Sequence, residues 1–199
     1  MRKKNSGFTL IELLVTMLLM GILLSVGVPS LLNMLKENRL SAAAYAMVSD
    51  MNLARSEAVR TGSRVVFCHS AASGGNQCRA TTTADDWQAT GWLIGVDDDP
   101  TATSRSDQQI DGTPPEPMRT RDPMASGVKV TPTTTSANAA LWFYPDGTVR
   151  DSAGRRSEAA FLMCSTDART NGRTIEITRA GAVKINKTDD MEATACAAA

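Results

Sequence analysis

Very little in this sequence is equipped for chemistry. Its 199 residues hold one histidine, His69, and four cysteines, with no Cys-x-x-Cys pair among them. That does not make up the nitrogen and sulfur set a zinc site needs. No Ser or Asp can be placed beside His69 to build a nucleophilic triad, so it reads as a surface residue. No glycine-rich loop cradles a phosphate, and no internal repeat is visible. The acidic run Asp97-Asp98-Asp99 lacks the alternating spacing and the closing glutamate of a calcium loop, and reads as a solvated loop. Formal charge is balanced, 21 Lys and Arg against 21 Asp and Glu, so no net field draws in nucleic acid. The expectation is a protein that is not an enzyme and carries no metal or cofactor.

What the chain does have is one long apolar run. Behind the basic leader Arg2, Lys3, Lys4, the segment from Phe8 to Leu35 contains a single charge, Glu12. At about 1.5 Å per residue it reaches roughly 40 Å as a helix, more than the hydrocarbon core of a bilayer. A cleaved secretory signal would be shorter and would end at a small-residue site. The basic leader should stay cytoplasmic and send the rest across the membrane as a single pass. Glu12 is the anomaly, because a carboxylate in lipid costs about 3 kcal/mol and is normally partnered.

These residues carry a family likeness. Gly7-Phe8-Thr9-Leu10-Ile11-Glu12 resembles the class III signal of type IV pilins and type II secretion pseudopilins. The resemblance implies that prepilin peptidase cuts after Gly7 and that Phe8 becomes the N-methylated first residue. It also implies that Glu12 pairs with the Phe8 amine of a neighbouring subunit to set the register of assembly. Gly27 and Pro29 fall where these proteins loosen the helix.

The helical pattern continues past the apolar run. Leu40, Ala44, Met47, Met51, Ala54 and Ala58 recur at spacings of three and four, a stripe that reads as core. Lys36, Arg39, Asp50, Arg55, Glu57 and Arg60 mostly take other faces. Thr61-Gly62-Ser63 ends the helix. Strand-like segments follow: 64–68, 91–96, 128–131, 140–144, 148–150, 159–164, 174–178 and 182–186. Pro145-Asp146-Gly147 turns one hairpin and Arg179-Ala180-Gly181 another. The expectation is an α+β fold: one long N-terminal helix, transmembrane in its first half, packed on an antiparallel β-sheet domain. The segments are a leader at 1–7, an assembly helix at 8–35, its amphipathic continuation at 36–62 and a β-rich domain at 63–199. The four cysteines lie beyond the membrane, where disulfides form. Of three pairings, Cys68–Cys78, closing a short loop, and Cys164–Cys196, tying down the tail, are favoured.

The C-terminal half extends the likeness. An aromatic strand into Pro145-Asp146-Gly147, then Phe161-x-x-Cys164, then Arg173-Thr174-Ile175 and the Gly181 hairpin, resembles minor pilins of the FimT/FimU group and pseudopilin H. That implies a minor pilin helping to initiate or cap a pilus with other pilins, or alternatively a minor pseudopilin of type II secretion. Loops 71–86 and 98–116 would face the partner pilins. Residues 150–187 hold eight Lys and Arg against four Asp and Glu. Arginines on a two-stranded surface can contact phosphates. The FimT branch is associated with DNA uptake through a Gly-Arg-x-Arg motif, which here reads Gly181-Ala182-Val183-Lys184. Arg155, Arg156, Arg173, Arg179 and Lys184 are therefore the candidate DNA contacts.

Overall fold

A computed structural model describes residues 9–71, 78, 87, 90–97, 118–124, 127–133, 140–151, 154–165 and 172–188. Its first element, α1 (Leu10–Thr61), is a helix of 52 residues, about 78 Å long. Thr9 caps its N-terminus: the Thr9 hydroxyl accepts from the Glu12 amide, and the Glu12 carboxylate accepts from the Thr9 amide. At the other end Gly62 adopts φ 69°, and its amide reaches the Ala58 carbonyl at 3.1 Å. The expected loosening at Gly27 and Pro29 is not present as a break, since α1 is helical through both. A proline inside a helix removes one backbone donor, and the turns on either side of Pro29 keep theirs.

Among the described residues nine strands follow: β1 (Arg64–His69), β2 (Trp92–Asp97), β3 (Arg119–Thr120), β4 (Val128–Pro132), β5 (Ala140–Phe143), β6 (Val149–Arg150), β7 (Ala159–Ser165), β8 (Arg173–Ile177) and β9 (Val183–Lys187). They form two antiparallel sheets rather than one, in the orders β3-β2-β1-β5-β6 and β4-β7-β8-β9. Both expected hairpins are present, at β5–β6 and β8–β9.

The main core lies where α1 meets both sheets. Leu40, Ala44, Met47, Met51, Ala54 and Ala58 are all fully buried there, as the stripe requires. Trp87 fills the centre. Its ring stacks on Phe67 of β1 at 5.9 Å and meets Phe161 of β7 edge-on at 5.2 Å. A second cluster covers the other face of β1, where Val66 and Cys68 pack with Leu93, Ala140 and Trp142. Apolar cover on both faces explains why β1 reads as a continuous run rather than an alternating one.

That double cover also corrects the reading of His69. It shares a face with Phe67 and is fully buried, 5.5 Å from the Trp87 ring. The Thr90 hydroxyl donates to the Ser70 carbonyl at 2.7 Å, so the His69 Nε2–H is the donor to Thr90 Oγ1. His69 is a core residue held at Nε2 by Thr90, not a surface one.

Candidate functional site

The two halves of α1 live in different surroundings. From Thr9 to Leu35 every described side chain is exposed, Leu10 at 77% and Leu23 at 72%. This half is long and apolar enough to cross a bilayer, by length and composition. Its one charge, Glu12, sits in the capping box with Thr9. The signal for that was legible, because Thr9-x-x-Glu12 matches the threonine-to-glutamate spacing of such boxes. Gly7 and Phe8, the expected cleavage and methylation residues, lie outside the described residues.

The second half is fastened to the sheets by charged side chains. Asp50 is fully buried. Its Oδ2 accepts from Arg121 Nε at 2.7 Å and Trp92 Nε1 at 2.9 Å, and its Oδ1 accepts from Arg119 Nη1 at 2.8 Å. Burial pushes this carboxyl up, but hydrogen bonds from Arg121, Arg119 and Trp92 outweigh it and hold the group below the ordinary Asp range. The same bond holds the Arg121 guanidinium above its usual value. Sequence reasoning placed Asp50 on another face. Yet it lies three residues after Met47 and four before Ala54, on the edge of the core stripe.

Arg55 ties the far end. Its Nε donates to the Gly147 carbonyl at 3.1 Å and its Nη2 to the Ala180 carbonyl at 2.9 Å. The two hairpin turns, one from each sheet, therefore meet on one helix residue. Their approach leaves no room for a side chain: a Cβ at Gly181, whose φ is 74°, would lie 2.2 Å from the Gly147 carbonyl oxygen. At the end of the domain nearest the bare half of α1, Arg173 donates to Ser41 at 3.2 Å and to Glu37 at 3.4 Å.

The structure does not gather the five candidate DNA contacts. Arg173 opens β8 and Arg179 follows its other end by two residues, at most about 20 Å apart along an extended strand. Arg155 pairs with Asp151 at 3.0 Å, Arg156 with Asp146 at 3.7 Å and Arg179 with Glu158 at 3.4 Å. Lys184 stands opposite Glu176 in the β8–β9 register. The Gly181 turn that would carry the motif is packed against Gly147 instead of standing free.

Cys68 and Cys78 are bonded, with Cα atoms 5.6 Å apart. Cys164 is also in a disulfide, and Cys196, its expected partner, lies outside the described residues. So does most of the two loops 71–86 and 98–116.

A helix bare along one half and laid over antiparallel sheets along the other is the architecture of the type IV pilin class. Residues 2–28 match the model of the prokaryotic N-terminal methylation motif, and residues 43–181 match that of the type II transport protein GspH. The chain belongs to the GspH family of minor pilins and pseudopilins. The crystal structure of the type IV minor pilin FimU of Pseudomonas aeruginosa is similar over 75% of this chain and 89% of that one, at 25% identity and a TM-score of 0.52. A second crystal form of FimU gives 23% identity, 74% and 92% coverage, and a TM-score of 0.49. The minor pseudopilin EpsH from the type 2 secretion system of Vibrio cholerae gives 10%, 75%, 97% and 0.45. Among curated proteins, none matches by sequence.

Proposed function

We propose that this chain is a low-copy subunit that helps to start or cap a type IV pilus, and that it works by packing rather than catalysis. The observation that carries the reading is the bare apolar half of α1, with its lone carboxylate at Glu12 directly behind the methylation motif. In this reading prepilin peptidase removes residues 1–7 and Phe8 is methylated. Residues 8–35 anchor the chain in the inner membrane, with the leader cytoplasmic, residues 36–62 carry the helix on, and the domain from residue 63 is periplasmic. Before assembly Glu12 is held by Thr9; on assembly it exchanges that partner for the Phe8 amine of a neighbour. Relief of a buried charge then favours one vertical register over the others. Bending at Gly27 and Pro29 belongs to the packed state.

The test is Glu12→Val in the full chain. The variant should insert in the membrane at the normal level yet fail to support filaments; normal piliation would remove the register role. Mass spectrometry of assembled material should find a methylated Phe8 start, and an intact Met1 start would sink the subunit reading.

A second reading, a minor pseudopilin of type II secretion, is supported by the description of the matching family, type II transport protein GspH. Loss of secretion with pili intact after deletion would favour it. DNA capture gets no comparable support, since Arg155, Arg156 and Arg179 each lie beside a carboxylate and Arg173 is tied to Glu37 and Ser41 of α1. Retardation of DNA by the soluble domain, lost with salt, would restore that reading.

A further inference from the structure

The strands that end the two sheets are not alike. β3 and β6 are two residues long. β4 carries Pro132, which has no N–H to offer a further strand. β9 is the exception: it has five residues, no proline, and only β8 beside it.

The bonding pattern shows which of its backbone groups are engaged. Beyond the two ends of β9, the Thr178 amide donates to the Ala182 carbonyl at 3.0 Å and the Thr188 amide to the Gly172 carbonyl at 3.2 Å. In an antiparallel ladder the opposed residues that exchange hydrogen bonds recur at every second position. In the β8–β9 register these are Lys184 with Glu176 and Asn186 with Thr174. The N–H and C=O groups of Val183, Ile185 and Lys187 therefore point away from β8. Among the described residues nothing bonds them. They form a row of about 13 Å in which donors alternate with acceptors. An open edge of this kind is a template for another strand.

Side chains say what kind of strand fits. Val183 and Ile185 pack half-buried against the core. Lys184 and Asn186 stand exposed on the opposite face, and Lys187 is exposed at the end of the strand. β9 itself carries no carboxylate.

We infer that the outer edge of β9 receives an extended acidic segment of another protein, added as a fifth strand to the β4-β7-β8-β9 sheet. Alternating donors and acceptors are the complement of a second peptide backbone. The phosphates of nucleic acid only accept, and would leave the three outward carbonyls unmatched. Charge then selects among peptides, because opposite charges across a strand pair attract and like charges repel. A second copy of β9 fits badly for that reason: paired antiparallel about Ile185, it would set Lys184 diagonally beside its own counterpart, with no carboxylate in either strand. Apolar residues of the incoming strand lie beside Val183 and Ile185, and its Asp or Glu residues lie beside Lys184.

The experiment uses the purified full-length chain in detergent micelles. The probe is a capped eight-residue peptide alternating valine with glutamate, and its counterpart alternates valine with lysine. Binding is read by fluorescence anisotropy and by amide hydrogen exchange. The acidic peptide should slow exchange in residues 182–188 at least tenfold and leave 128–132 unchanged, while the basic one does neither. Lys184→Glu with Lys187→Glu should reverse the preference between the two peptides. Lys187→Pro deletes one outward N–H at an exposed position, and should weaken the acidic peptide at least fivefold with melting unchanged. Arg39→Glu, exposed on α1, should bind as wild type does. If Lys187→Pro melts early, the charge reversal alone decides. No protection of 182–188 by the acidic peptide would overturn the inference and reduce the lysines to guards of the edge. Equal protection by both peptides, or an unreversed preference in the double variant, would overturn it as well. So would protection without peptide that grows with protein concentration, which would assign the edge to a second copy. None of these outcomes bears on the subunit reading, which does not depend on β9.

Discussion

The two halves of α1 are made from one continuous helix, yet they answer to different rules. In Leu10–Leu35 nearly every position is apolar and all the described side chains are exposed. In Lys36–Thr61 the apolar positions narrow to a stripe, and that stripe is fully buried. Hydrophobicity alone therefore does not say where a residue ends up. A run apolar on all sides waits for lipid or for other helices, while a one-sided stripe is satisfied within its own chain. Polar residues divide the same way. Glu12 finds its partner three residues away in the cap, whereas Asp50 finds three partners across the fold.

That contrast can be broken by substitutions in the isolated domain, residues 36–199, followed by chemical denaturation. Asp50→Ala should have the largest effect, about 3–4 kcal/mol, because it strands two arginines and the Trp92 N–H. If the loss were under 1 kcal/mol, the buried ion pairs would be incidental. Met47→Ala should cost about 3 kcal/mol through the cavity it leaves. Leu24→Ala in the intact chain is its counterpart, and should leave domain melting unchanged while weakening association. Removing the Cys68–Cys78 bond by Cys68→Ala with Cys78→Ala should cost about 2–3 kcal/mol. Near-zero loss would mean that the burial of Cys68 and Trp87 suffices without the bond.

The smallest effect expected is with pH. Asp50 is held below its ordinary value of 3.8 in the folded state. Its contribution is thus complete above the unfolded value and is lost as pH falls through the lower folded one. Domain stability should drop steeply below about pH 4, and Asp50→Asn should flatten that drop. An unchanged acid limb in Asp50→Asn would assign the effect to other carboxylates.

Features set by neighbours in sequence were legible before the structure. The long helix, its stop at Gly62, the core stripe, eight of the nine strands, both hairpins and the Cys68–Cys78 loop all follow from local pattern. The anchor and Glu12 were legible for the same reason, as a charge within a run of apolar residues. Features set by distant contacts were not. β3 is two residues long and exists because Arg119 and Thr120 pair with β2. The split into two sheets depends on which strands meet, and no local pattern records that. Trp87 gave no sign of filling the core, since its surroundings in the sequence read as loop. His69 and Asp50 misled because polarity was taken as exposure, whereas each is buried and bonded by residues at least 20 positions away. Pairing was not legible either: charge counts over the basic C-terminal segment do not show that Arg155, Arg156 and Arg179 each lie beside a carboxylate.

The three arginine fastenings along α1 have a mechanical consequence. Arg173 grips near Glu37, Arg119 and Arg121 grip at Asp50, and the two turns grip at Arg55. A subunit pulled by its helix transmits traction to the sheets at three stations spread over about 27 Å. The load runs parallel to the helix and so shears these bonds together instead of peeling them one by one. Built this way, the domain should stay riveted to its shaft under tension that would strip a sheet held by a single contact.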